Sequence, residues 1–197
     1  MVIEAGSRRQ EIDAVAGELF HAQGYAATSV RDIARALDMQ GASLYAHVTS
    51  KEDLLWSIVD RAATAFEAGA EAALVESAAG DTVDRLAAFV EAHVEVVTAD
   101  PERASVFVTE WRHLSEPHRE DIAGRRDAYE GRLRSLIIEG IASGAFRSTD
   151  PAIAAVFLLS ALNGIAAWYR PAGRLTADRI ADHFVDLALR SVSEDHR

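Results

Sequence analysis

Thr28-Ser29-Val30-Arg31-Asp32-Ile33-Ala34, with Leu37-Asp38-Met39-Gln40 and Gly41-Ala42-Ser43-Leu44-Tyr45-Ala46-His47 behind it, decides the fold. Thr28 or Ser29 can cap a helix, because a short side-chain oxygen accepts from the unpaired N–H groups of the first turn. Ile33, Ala34, Leu37, Met39 and Leu44 are spaced to pack two short helices together across a tight turn, the helix-turn-helix arrangement. That packing leaves Gln40, Ala42, Ser43, Tyr45, Ala46 and His47 to reach outward. Upstream, Ile12, Val15, Ala16, Leu19 and Phe20 form one apolar stripe of a 16-residue helix, and Gly24 stops it. Downstream, Leu54, Leu55, Ile58, Val59, Ala62, Ala63 and Phe66 form a longer stripe.

The outward residues suit DNA. Gly41, Ala42 and Ala46 are small enough to let a helix enter the major groove, and Gln40 and Ser43 carry an amide and a hydroxyl that can read base edges. Thr28, Tyr45, His47 and Lys51 are candidate phosphate partners, supplemented by helix N-termini such as the one opened by Ser29. Of the 20 basic residues only Lys51 is a lysine.

Periodicity makes the whole chain helical. Val83, Leu86, Val90, Val94 and Val97 give another stripe, Asp100-Pro101 and Asp150-Pro151 each place an N-cap before a proline, and Thr176 opens the last helix. Gly80-Asp81 and Ser115-Glu116-Pro117 are the clearest breaks. The expected fold is all-α with about nine helices. A three-helix helix-turn-helix domain occupies residues 1–52, and a ligand-binding and dimerisation bundle occupies residues 53–197.

Composition bounds the alternatives. The 197 residues are 49% hydrophobic and 26% charged, ordinary for a globular chain of one domain or two small ones. With no cysteine there is no disulfide framework, thiol catalysis or thiolate metal site. The net charge of −11 argues against a general polyanion binder. Residues 1–53 hold five basic groups against eight acidic ones, so phosphate attraction there depends on how the charges are placed. No secretory signal is visible, so the cytoplasm is expected. Residues 151–169 carry no charge, yet Ser160, Asn163, Gly164 and many alanines mark a buried helix rather than a membrane span. His93, His113 and His118 match no metal-ligand spacing, and no metal or cofactor is expected. No nucleophile elbow, phosphate loop or Rossmann glycine pattern is present, so the chain is not read as an enzyme.

Gly24-Tyr25-x-x-Thr28-Ser29-Val30-x-Asp32-Ile33-Ala34, Ser43-Leu44-Tyr45-x-His47 and Ser50-Lys51-Glu52-x-Leu54-Leu55 resemble the tetracycline-repressor (TetR) family of bacterial transcriptional regulators. Gln40, Ala42 and Val48 depart from the family's usual Ser, Gly and Phe. The resemblance implies double-stranded operator DNA as partner, a homodimer, and a small-molecule effector. By position, Thr28, Tyr45, His47 and Lys51 would hold phosphates, and Gln40, Gly41, Ala42 and Ser43 would approach base edges.

The C-terminal part is rich in aromatics. Phe66, Phe89, His93, Phe107, Trp111 and Tyr129 are candidate ligand contacts, against the plainer alternative of core packing. Thr109-Glu110-Trp111-Arg112-His113-Leu114 and Asn163-Gly164-Ile165-Ala166-Ala167-Trp168-Tyr169-Arg170-Pro171 resemble a TetR subgroup that controls fatty-acid and sterol-ring degradation and responds to CoA thioesters. Arg170 and Arg174 would then fork phosphates, and Trp168 or Tyr169 would stack an adenine. Phe157, Ser160, Ala161, Gly164, Ala167 and Trp168, with Ile180, Phe184 and Leu187, suggest a two-fold four-helix dimer interface. The expected function is a repressor released from DNA by a small molecule. A helical ligand-binding protein without DNA affinity, and a helical enzyme without a recognisable motif, are the alternatives.

Overall fold

The computed structural model describes residues 2–193. Nine α-helices run in order among them: α1 Val2–Gln23, α2 Val30–Ala36, α3 Gly41–Leu44, α4 Lys51–Glu76, α5 Thr82–Ala99, α6 Pro101–Thr109, α7 His118–Ser143, α8 Pro151–Trp168 and α9 Ala177–Val192. A 3₁₀ turn, Trp111–His113, separates α6 from α7. The chain is all-α, as its periodicity predicts. The first helix begins earlier than the apolar stripe suggests, at Val2.

Packing gathers the chain into two compact units. One comprises the chain up to Ala63 together with Glu102–Ala123, and the other comprises Thr64–Pro101 together with the chain from Gly124 onward.

In the first unit, local chemistry fixes the turns of the helix-turn-helix. Gly24 takes φ +84 after α1, and its N–H donates to the Phe20 carbonyl at 2.9 Å. A Cβ disfavours that conformation, so glycine is the natural stop. Ser29 is the N-cap of α2 and forms a reciprocal capping box with Asp32. The Ser29 hydrogen bonds hold the Asp32 carboxyl below its usual range. Asp38 turns the chain between α2 and α3 with φ +53, a conformation aspartate tolerates better than most side chains. Met39 N–H then closes onto the Ala34 carbonyl at 2.8 Å.

The same unit buries Ile12, Ala16, Phe20, Ile33, Ala34, Leu44, Val48, Leu54 and Leu55. Beside this core, Asp13 is 5% exposed and accepts from Arg9 Nε at 2.9 Å and from Ser57 Oγ at 2.7 Å. Arg9 also reaches Asp53 at 3.3 Å. Its guanidinium is therefore committed to joining α1 and α4, since a buried carboxylate needs its partners.

In the second unit α5 packs on α9 and α8. The face of α5 that carries Leu86, Phe89, Val90, His93, Val94 and Val97 is buried. Asp81 caps α5, Asp150 caps α8 ahead of Pro151, and Thr176 caps α9. Gly140 on α7 is there for space, because a Cβ would stand 2.0 Å from the ring of Phe146.

Helix α8 departs from expectation. It is long and apolar enough to cross a membrane, and the sequence predicts a buried helix, yet only 28% of its residues are fully buried within the chain. Phe157 and Trp168 are 60% and 48% exposed, as is Leu187 of α9 at 61%. Ile180, grouped with them by helical spacing, is instead 1% exposed and belongs to the subunit's own core.

Candidate functional site

The short helix α3 and the turn after it sort their side chains sharply. Leu44 and Val48 are buried, while Gln40, Ala42, Ser43, Tyr45, Ala46 and His47 are exposed. Gly41 is half-buried. Gln40 occupies the N-cap position of α3, but its side chain makes no capping hydrogen bond, so its amide is left to the surface. Tyr45 is 57% exposed. A groove of about 480 Å³ lies between α2 and α3, edged by Arg31, Arg35, Asp38, Met39, Gln40 and Gly41.

Three of the nine residues proposed for DNA serve structure first. Thr28 is 1% exposed, and its hydroxyl donates inward to the Gly24 carbonyl at 2.9 Å. The Ser29 hydroxyl is held by Asp32. Lys51 donates to the Tyr25 and Thr28 carbonyls at 2.8 and 2.9 Å, and its ammonium lies 4.1 Å from the centre of the Tyr25 ring. It clamps the turn between α1 and α2, and a phosphate would have to share it. The Arg31–Arg35 pair was missed as a phosphate candidate. Both are exposed on α2, and their spacing of four residues was the available signal.

Residues 102–123 pack in the first unit, beside the turn that Lys51 holds. Glu110 accepts the Tyr25 backbone N–H at 3.2 Å, and the His113 ring stacks on Tyr25 at 5.4 Å. Glu52 accepts from the Ser115 N–H at 3.0 Å and hydroxyl at 2.5 Å, which holds its carboxyl below the usual range. His118 stacks on Trp56 at 4.1 Å. In the sequence, residues 109–114 read as a subgroup marker with Trp111 as a ligand candidate, and nothing local announces a contact so far along the chain.

Of the nine residues proposed for a ligand, the second unit brings four together. Phe66 of α4, Phe89 and His93 of α5 and Tyr129 of α7 form one aromatic cluster. Phe66 lies 4.7 Å from His93, and Phe89 lies 5.0 Å from Tyr129, between ring centroids. His93 Nδ1 and the Tyr129 hydroxyl are 3.0 Å apart. Burial pushes the His93 pKa down to about 3 and pushes the Tyr129 hydroxyl up. Beside them Arg125 forks Glu67 with two contacts of 2.8 Å.

The other five ligand candidates lie apart from this cluster. Phe107 and Trp111 belong to the first unit. Trp168 stacks on Phe184 at 6.4 Å on the exposed side of α8, and Arg170 and Arg174 are exposed in the following loop. Tyr169, considered for stacking an adenine, is 7% exposed and is a core residue.

The chain is similar to proteins of known class along nearly its whole length. Residues 12–58 match the family of bacterial regulatory proteins, tetR family, and residues 79–192 match the tetracyclin repressor-like C-terminal domain. It is 31% identical to the HTH-type transcriptional repressor KstR2 of Rhodococcus jostii, over 96% of this chain and 93% of that one. Among solved structures, the ketosteroid transcriptional regulator KstR2 of Mycobacterium tuberculosis superposes with a TM-score of 0.89 at 25% identity, over 95% and 96% of the two chains. AibR in complex with isovaleryl coenzyme A and operator DNA superposes with a TM-score of 0.79 at 29% identity, over 91% and 97%.

Proposed function

This chain belongs to the tetracycline-repressor family of DNA-binding transcriptional regulators, and we propose that it is a homodimeric repressor released from its operator by an acyl-CoA thioester. Residues 1–52 carry the DNA reader, and residues 53–197 carry effector binding and dimerisation. A regulator of operator DNA works in the cytoplasm, where that DNA is.

The observation that carries the reading is the sorting of α3. Four residues of helix and the turn after it bury Leu44 and Val48 and leave amide, hydroxyl, phenol and imidazole groups outside. Gln40 and Ser43 then meet base edges, with Gly41 and Ala42 giving close approach. Tyr45, His47 and Arg31 meet phosphates, and Thr28, Ser29 and Lys51 set the turn that presents them. The dimer is supported by the uncovered apolar side of α8 and α9, where Phe157, Trp168 and Leu187 are exposed. A pair of readers about one helical turn of DNA apart requires such a two-fold.

The effector class is supported by the likeness to AibR and by the aromatic interior, which suits an acyl group. Arg170 and Arg174 are the exposed guanidinium groups offered to CoA phosphates. Release is a population shift. A tenfold loss of operator affinity needs about 1.4 kcal/mol of differential effector binding.

The test is fluorescence anisotropy on DNA from upstream of the gene, across a salt series, followed by isovaleryl coenzyme A and longer thioesters. Tight binding with a steep salt slope is expected, and Gln40→Ala with Ser43→Ala lowers operator affinity at least tenfold at unchanged Tm. Equal operator affinity with and without every thioester overturns the effector reading.

A further inference from the structure

The His93–Tyr129 pair leaves one polar atom unaccounted for. His93 is 2% exposed, and among the described residues its Nε2 has no hydrogen-bond partner. A buried polar nitrogen without a partner destabilises the fold, and such a cost is tolerated where something else uses the atom. The surroundings are aromatic, with Phe66 at 4.7 Å and Tyr129 at 5.8 Å between ring centroids.

The pair also fixes which nitrogen carries the proton. Burial keeps the imidazole neutral at physiological pH, so one nitrogen is a donor and the other an acceptor. Among the described residues the Tyr129 hydroxyl meets only His93. With the hydroxyl donating to Nδ1, one buried N–H on Nε2 is left over. With Nδ1 donating instead, both the hydroxyl proton and the Nε2 lone pair are left over. The first arrangement strands fewer groups, and it pairs the more acidic O–H with the more basic nitrogen.

We propose that His93 Nε2–H is a donor held for an uncharged acceptor oxygen, a ketone or ester-type carbonyl, on an otherwise apolar effector. The proposal rests on the interior of the second unit being the effector site and adds the chemistry that site selects. A carboxylate would enter an aromatic cluster against a single neutral donor, which does not offset its desolvation. Of the neighbouring cations, Arg125 is already matched by Glu67, and Arg132, whose charge acts on the Tyr129 hydroxyl, donates to the Glu67 carbonyl at 3.3 Å. Tyr129 acts as a positioning residue by holding the imidazole in the Nε2–H form.

The experiment uses the full chain with ¹⁵N-labelled histidine, the His93 signals being assigned by their loss in His93→Leu. Two-bond ¹H–¹⁵N spectra are recorded alone and with cyclohexanone, methylcyclohexane or cyclohexanecarboxylate. The expected result is a protonated Nε2 in the free protein that shifts with the ketone and with neither other probe. The double variant His93→Leu/Tyr129→Phe removes both polar partners together. It is expected to unfold no lower than the parent chain and to lose a ketone preference of at least tenfold. A protonated Nδ1, an equal response to ketone and hydrocarbon as a trapped water would give, a preference for the carboxylate, or a double variant that melts well below the parent overturns the proposal. A ketone response without operator release by thioesters removes the acyl-CoA reading and leaves the His93 donor standing. Thioester release without a ketone response does the reverse.

Discussion

In the helix-turn-helix the uncommitted polar groups lie on the outside, and in the aromatic cluster of the second unit the uncommitted one lies inside. Gln40 at the N-cap and Ser43 within α3 are exposed, while the helix's apolar side, Leu44, is 0% exposed. His93 is buried against aromatic rings, with its Nε2 unpaired among the described residues. On the proposed reading, water satisfies an exposed amide until a base replaces it, so readiness to bind DNA costs the helix-turn-helix little. A buried N–H has no such substitute, so under the proposed effector role its readiness is held at the expense of stability. The two kinds of site should therefore answer differently to substitution and to pH.

The largest expected effect comes from Leu44→Asp. It places a carboxylate in the packing of α3, at a cost of about 4 kcal/mol. Operator binding should vanish in anisotropy, while the cyclohexanone response of His93 survives in the same full-length protein. Loss of both signals together would break the comparison, because the two regions would then be a single cooperative unit.

The second effect is in pH. The folded pKa of His93 is depressed to about 3 from an unfolded value of 6.5. The unfolded chain therefore takes up the proton first, and stability falls as pH drops from 6.5 toward 3. Between pH 7.5 and 5 the loss from this one group is about 2 kcal/mol. Asp32, Glu52 and Glu67 have lowered carboxyl pKa values, so their contributions stay in place over that range and fade only below about pH 4.5. Thermal melts of the parent chain and of His93→Leu/Tyr129→Phe at pH 7.5 and 5 measure the difference. The double variant should be flatter by most of that amount, and parallel curves would remove His93 as the cause.

The same contrast explains what the sequence made legible. The helix-turn-helix was legible because its candidate residues lie in one stretch of 28 positions, Gly24 to Lys51, where a cap at Ser29, a stop at Gly24 and the burial of Ile33, Ala34 and Leu44 constrain one another. The aromatic cluster draws Phe66, Phe89, His93 and Tyr129 from three helices. Helical periodicity put those residues on apolar faces without showing that the faces meet. It also grouped Phe107, Trp111 and Trp168 with them, because an aromatic on a core stripe looks the same wherever its helix packs. The joint of Glu110 with Tyr25, and of Ser115 with Glu52, was beyond reach for the same reason. The orientation of side chains inside the helix-turn-helix was legible only in part. Spacing placed Lys51 and Thr28 near the reader, but which way a polar side chain turns depends on carbonyls that only the folded turn supplies.

That last point gives the smallest and most discriminating test. The Lys51 ammonium is held by two carbonyls and the Tyr25 ring, whereas Arg31 stands exposed on α2. If Lys51 chiefly clamps the turn, Lys51→Met strands two carbonyls that water can partly reach. The expected cost is about 1 kcal/mol, which lowers Tm by roughly 2–4 °C in a chain of this size. Operator affinity then falls through misplacement of the reader, and the dependence of log K on log salt keeps its slope. Arg31→Met should do the opposite, leaving Tm unchanged and lowering the slope by about 0.9, the value for one phosphate contact. A Lys51→Met protein with parental Tm and a slope reduced by about 0.9 would return Lys51 to the phosphates. The outward-facing chemistry of the helix-turn-helix would then include the residue whose partners here are all internal.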